Sequence, residues 1–295
     1  MYSFRSIQYS KNRYLITGIT GIHGWPIFNW FIEKYPEQVL GLRNCSSFPV
    51  EHPSVRALDL DDLSELQKCI EEFRPTHIIH CGGLCDLDRA ENFPELAYRL
   101  NVLAAESIKK IIGDTVYPIY LSYDLVFSGD KNDGSGYTPE QSPDPLTVVG
   151  KSIVAAENIF RSIPESLIIR LALPMGSSLQ GNKGAVDWIL SRFKKKLPAS
   201  LLYDEIRSTI LTTDLGPAVD ELVQKNICGL IHLGSNQSLS LYQMGEKLIL
   251  RGRYPKECLR GFYRTQFPPS PPRMGNVSLN SKESHQLLEW IPQEW

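Results

Sequence analysis

Gly18, Gly21 and Gly24 stand at the spacing Gly-x-x-Gly-x-x-Gly, directly after the apolar run 14–17 and just before a helical pattern. A glycine turn between strand and helix lets backbone amides and the helix N-terminus close on a phosphate. The triplet, with Thr20 and Ile22 between its glycines, therefore reads as a pyrophosphate cradle. A dinucleotide suits this chemistry. The next apolar run ends in Gly41-Leu-Arg-Asn-Cys-Ser-Ser47 and offers no carboxylate for a ribose 2′-hydroxyl. Arg43, with Asn44 beside it, can instead pair bidentately with a 2′-phosphate, which favours NADP(H) over NAD(H). A solvated surface arginine is the competing reading. Asp59 and Leu60 follow the third run, placed to flank the adenine.

Other reactive side chains are less organised. His77, His80, Cys81 and Cys85 include metal-ligand types, but on a strand positions 77 and 80 face opposite sides, while a zinc site needs converging ligands. Packing at a strand end, with no metal, is the expectation. Cys85 and Asp86 fall in a loop expected to border a substrate, and nothing near Cys85 signals a lowered thiol pKa. His23 reads as a spacer against the phosphates. The stretch 251–273 sets Arg251, Arg253, Lys256, Arg260, Arg264 and Arg273 against Glu257, with Tyr254, Phe262, Tyr263 and Phe267 interleaved. Guanidinium forks and an aromatic face would suit a diphosphate and a base; a solvated basic face is the alternative.

These groups need a scaffold. Residues 14–17, 39–42, 55–59, 77–81, 118–122 and 167–171 read as strands, and 25–34, 62–73, 94–112 and 151–163 between them have helical periodicity. The alternation predicts an α/β fold of Rossmann type, a doubly wound parallel sheet with ligands at the carboxyl ends of its strands. Residues 229–234 look like one further strand. A dinucleotide-binding domain over 13–176 plus 213–235 follows, with a smaller substrate-binding lobe over 177–212 plus 236–295, expected to be rich in loops and poor in strands. Residues 129–136 read as an exposed, mobile loop.

The 295 residues, 42% apolar and 22% charged, suffice for a sizeable core, and a net charge of −2 gives no reason to expect nucleic acid or an anionic membrane. The opening residues lack the apolar core of a signal peptide, and no run approaches the roughly 18 apolar residues of a membrane span. A cytoplasmic protein with reduced thiols is expected, since the six cysteines show no framework spacing.

Several segments in combination resemble one family. They are Cys81-Gly-Gly-Leu-Cys-Asp-Leu-Asp-Arg-Ala-Glu91, Asn101, Tyr120-Leu-Ser-Tyr-Asp-Leu-Val-Phe-Ser-Gly129, Thr212-Thr-Asp-Leu215, residues 229–234, and Pro272-Arg273 followed by Leu279 and Lys282. Across roughly residues 13–290 the chain resembles the extended short-chain dehydrogenases/reductases, and among them the dTDP-4-dehydrorhamnose reductase branch. The resemblance implies a cofactor site bordered by Cys81, Gly82, Gly83, Asn101 and Ser122, a structural and catalytic role for Asn101, and a substrate site at Cys85, Asp86 and Arg273.

It also exposes a gap. In the resembled enzymes a Tyr donates the proton to the carbonyl being reduced, a Lys four residues on supports it from the same helix face, and a Ser or Thr orients the carbonyl. Here Val149 stands at the tyrosine, Ile153 at the lysine and Tyr123 at the Ser/Thr position, and none of the thirteen tyrosines is followed four residues later by Lys. Lys151 should point to another helix face. Tyr123 is the candidate replacement, against a plain role as filler. The leading expectation is an NADP(H)-binding enzyme acting on a nucleotide-activated sugar or similar polar metabolite by non-standard acid/base chemistry. The alternatives are a silent regulatory subunit with a protein partner, as in the beta subunit of methionine adenosyltransferase, which resembles the same branch, or a lyase or isomerase. A homodimer is a further implication of the resemblance.

Overall fold

The structure, a computed structural model, describes residues 2–5, 11–130, 133–266 and 270–295. Its strands are β1 (Tyr2–Phe4), β2 (Tyr14–Thr17), β3 (Val39–Arg43), β4 (Val55–Ala57), β5 (His77–His80), β6 (Tyr117–Tyr123), β7 (Leu167–Leu171), β8 (Leu173–Met175), β9 (Ala199–Leu202), β10 (Ile206–Leu211), β11 (Ile227–Leu233), β12 (Ser238–Ser240) and β13 (Leu259–Phe262). The α-helices are α1 (Gly24–Lys34), α2 (Leu63–Phe73), α3 (Leu87–Asn92), α4 (Pro94–Ala97), α5 (Ala104–Ile111), α6 (Val148–Arg161), α7 (Ala185–Lys194), α8 (Thr212–Gln224), α9 (Leu241–Gly252) and α10 (Lys282–Leu287).

Strands buried on both faces read as short continuous apolar runs, and their side chains then sort by parity. Tyr14, Ile16, Ile79, Ile119 and Leu121 enter one core layer with α1 and α8. Leu15, Leu40, Ile78, Tyr120 and Ile168 enter the other with α2, α5 and the end of α6. The resulting eight-stranded sheet has the order β1-β11-β7-β6-β5-β2-β3-β4 and is parallel except for β1 against β11. The doubly wound sheet expected from the sequence is present, and β11 is its further strand. Helices α1 and α8 are locked by Asp220, which accepts from Trp30 Nε1 at 2.9 Å, Lys34 Nζ at 2.7 Å and Tyr35 Oη at 2.8 Å.

Three expected elements differ. Helix α6 begins at Val148, three residues early, because the Thr147 side chain accepts from Gly150 N at 3.0 Å and caps it. The continuous helix expected over 94–112 is α4, a π-helical stretch Tyr98–Leu103, and α5. The region expected to be loop-rich holds β9, β10, β12, β13, α7, α9 and α10, with sheets β12-β10-β8 and β13-β9 around a cluster including Met175, Val186, Phe193, Leu201, Met244 and Trp295. These strands are three to six residues long, and β13 is half exposed, so the alternation that betrays a strand is weak.

Lys131 and Asn132 of the loop 129–136 lie outside the described residues, as do Phe267, Pro268 and Pro269. Around them, Asp130, Asp133, Gly134 and Ser135 are exposed, while Gly129 and Gly136 are buried against residues 275–276 and 279–280. No helix among the described residues is long and apolar enough to cross a membrane.

Candidate dinucleotide crevice

The chain leaves β2 for β3 on one side and returns to place β5 on the other, which makes the carboxyl edge between β2 and β5 the switch point of the sheet. The glycine loop lies there. Gly18 has φ +68°, and a Cβ on it would stand 2.4 Å from Gly82 Cα, so the loops after β2 and β5 are in backbone contact. A Cβ on Gly24 would stand 2.3 Å from Gly18 O, at the first residue of α1. The result is a turn with no Cβ at its closest backbone approaches, aimed by a helix N-terminus, a shape that fits a pyrophosphate.

On the β3 side, Arg43 Nη1 donates to the carbonyls of Asn44 at 3.2 Å and of Cys45 and Ser47 at 3.4 Å. Asn44 Oδ1 accepts from Ser46 N at 3.0 Å, and Asp59 Oδ1 from Cys45 N at 2.8 Å. Arg43, Asn44 and Asp59 thus shape one rim turn, with half-buried Leu60 packed against the core beside it.

On the β5 side, Thr17 Oγ1 and His80 Nδ1 meet at 2.6 Å, and His80 stacks with Tyr120 and Phe160. His77 packs on the opposite face, between Tyr14 and Tyr117. Burial pushes both imidazoles down to about 3. Cys81 is buried, and burial raises its thiol pKa. Asn101, on the π-helical stretch, spends its amide on the loop. Its Oδ1 accepts from Leu84 N at 2.6 Å, and its Nδ2 donates to Leu84 O at 3.1 Å and Ser152 Oγ at 2.7 Å. A Cβ on Gly83 would stand 2.7 Å from that Oδ1. Beyond the clamp, Cys85 is exposed, and Asp86 caps α3 by accepting from Arg89 N at 2.8 Å.

The end of β6 divides its side chains. Ser122 is fully buried and donates to Glu157, which holds Arg170 at 2.7 and 2.8 Å. Its hydroxyl is therefore held within a buried network with Glu157 and Arg170. Tyr123, 8% exposed, lies over the glycine loop, its ring 4.5 Å from that of His23. Burial raises its phenol pKa well above the ordinary value. Val149 and Ile153 are 0% and 1% exposed, inside the apolar layer that also contains Tyr123 and Leu125.

Two charged groups escaped the sequence reading. Arg207, buried on β10, grips Asp124 through Nε at 2.6 Å and through Nη2, and faces Glu205 at 3.6 Å. Arg273 donates through Nε to Glu205 at 3.1 Å, so it joins this chain of charges at its outer end. A lone arginine in the otherwise uncharged run 206–211 was the available signal. Lys183 Nζ donates to Thr20 O at 3.1 Å, and a Cβ on Gly184 would strike Ile22 Cδ1 at 2.4 Å, so the segment before α7 rests on the glycine loop. Elsewhere in 251–273, Arg251 lies over Trp295 at 4.4 Å, and Arg264 pairs with Asp204 and Asp130.

The doubly wound sheet, the glycine turn at its switch point and the rim at β3 define a protein of Rossmann type with a crevice shaped to fit a dinucleotide. Residues 12–295 match the family model described as the RmlD substrate binding domain, and the chain belongs to that family. It is an extended short-chain dehydrogenase/reductase of the dTDP-4-dehydrorhamnose reductase-like branch. It is 28% identical over 259 residues to methionine adenosyltransferase 2 subunit beta of Xenopus laevis, covering 85% of this chain and 75% of that protein. It is 24% identical over 252 residues to dTDP-4-dehydrorhamnose reductase of Salmonella typhimurium, covering 80% and 82%. The crystal structure of dTDP-4-dehydrorhamnose reductase from Bacillus anthracis in complex with NADP shares the fold, with a TM-score of 0.80 at 22% identity over 96% of this chain and 95% of that one.

Proposed function

We propose that the chain binds NADP(H) in this crevice without running the Tyr–Lys proton relay, and works as a nucleotide-responsive subunit for a protein partner rather than as an efficient ketone reductase. The observation that carries this reading is the full burial of Val149 and Ile153 in the core. A positioned general acid contributes about 10²–10⁴ in rate and a carbonyl-polarising donor about 10²–10³. Neither is supplied from α6. Asn101 and Ser122 are spent on structure, and burial raises the Tyr123 phenol pKa, the opposite of the tuning a proton donor near neutral pH needs. The likeness to a protein named as a subunit supports a partner role.

Arg43 supports NADP(H) over NAD(H), because its Nη1 anchors the rim turn where a 2′-phosphate would arrive. Fluorescence titration tests this directly. NADPH should bind at least about tenfold more tightly than NADH, a preference that Arg43→Ala abolishes; equal affinities in the unmodified chain would refute the NADP(H) assignment.

One observation favours a second reading, reduction of a nucleotide-activated sugar or similar polar metabolite through Tyr123. That phenol lies within electrostatic reach of Cys85, which is exposed. Under it, Tyr123→Phe lowers a measurable turnover by at least about tenfold, and an unchanged rate removes the reading.

A further inference from the structure

His23 and His80 each hold a buried ring nitrogen that no described residue satisfies; His80 is stacked with Tyr120 and Phe160 in the core, whereas His23 belongs to the glycine loop itself. His23 is 5% exposed, its ring lies 4.5 Å from that of Tyr123 with 36° between the planes, and its Nε2 has no hydrogen-bond partner among the described residues. Burial, aided by the positive charge of Arg207, pushes its pKa down to about 3, so the ring is neutral. Native proteins rarely leave a buried ring nitrogen unpaired, and an uncharged imidazole suits a carboxamide or hydroxyl better than a phosphate.

Position supplies the direction. His23 belongs to the loop after β2, and Tyr123 ends β6, on the far side of β5. A dinucleotide crossing the switch point lays its adenosine half toward β3, where Arg43 and Asp59 stand, and its other half toward β6. We infer that His23 Nε2 is the hydrogen-bonding contact for the nicotinamide riboside half of the bound dinucleotide, with the His23 and Tyr123 rings as the surface that orients it. The sequence reading of His23 as a phosphate spacer is replaced by this role. The inference rests on the cofactor assignment above but is independent of whether the chain turns over a substrate.

Calorimetry with NADPH and with 2′,5′-ADP, which carries the adenosine half alone, separates the possibilities. His23→Leu should weaken NADPH by about tenfold while leaving 2′,5′-ADP within about twofold, and His23→Gln should recover most of the loss. Unchanged NADPH affinity in His23→Leu, or equal losses for both ligands in both variants, overturns the inference and leaves the cofactor assignment standing. Wild-type protein that binds neither ligand overturns both. Imidazole NMR resonances of the unsubstituted chain give the same answer without a variant. NADPH should shift the His23 signals and 2′,5′-ADP should not; identical shifts with the two ligands contradict the contact.

Discussion

Val149 and Ile153 are buried in the apolar core, and this sets what restoring the missing side chains would do. Overpacking a filled core costs about 1–3 kcal/mol, and a buried ammonium without a partner costs more. The double variant V149Y/I153K should therefore lose at least about 3 kcal/mol in a denaturant melt. A loss under about 1 kcal/mol would mean that the relay positions can accommodate the larger side chains, contrary to a filled core. The sequence alone makes these two residues legible, since a motif with fixed spacing shows its own gaps. It does not do the same for Arg207 and Lys183, because their partners lie 83 and 163 residues away in the chain.

At the scale of elements, the glycine loop and the π-helical stretch set the crevice. Gly18→Ala puts a Cβ 2.4 Å from Gly82 Cα at φ +68°, so the loops after β2 and β5 must separate. NADPH affinity should fall by at least about tenfold, beyond the strain of roughly 1–3 kcal/mol that such a backbone stores; near-normal binding would show the cradle to be unnecessary. Asn101→Ala leaves the N–H and carbonyl of Leu84 buried and unpaired. Each such group costs about 1–3 kcal/mol, so the melt should shift by roughly 2–6 kcal/mol. Strands β2, β3 and β5 could be read from the sequence because burial on both faces leaves a continuous apolar run. The break inside residues 94–112 could not, because a π turn keeps helical composition. Strands β9, β12 and β13 escaped because pairing between distant segments, not local pattern, defines them.

For the whole molecule, four buried imidazoles govern the response to acid. His23, His77, His80 and His232 are all held down to about 3 by burial, against about 6.5 in an unfolded chain. Between those values the unfolded state binds protons that the folded state refuses. Their stabilisation is therefore complete above about pH 6.5 and lost as the pH falls toward 3, at about 1.4 kcal/mol per histidine per pH unit. Asp124 and Glu205, whose pKa values burial raises, act in the opposite sense near the carboxylate range. The urea midpoint should be clearly lower at pH 5 than at pH 7; equal midpoints would place at least some of these rings in water.

The most direct test of the whole is paired measurement on one purified sample: NADPH binding by fluorescence, and NADPH oxidation at 340 nm with dTDP-4-dehydrorhamnose and related nucleotide sugars. A cradle without a proton relay predicts saturable NADPH binding together with oxidation no faster than the protein-free background. Oxidation at the roughly 1 s⁻¹ or more of an ordinary enzyme, with binding intact, would contradict the central claim and return Tyr123 to the position of catalytic acid.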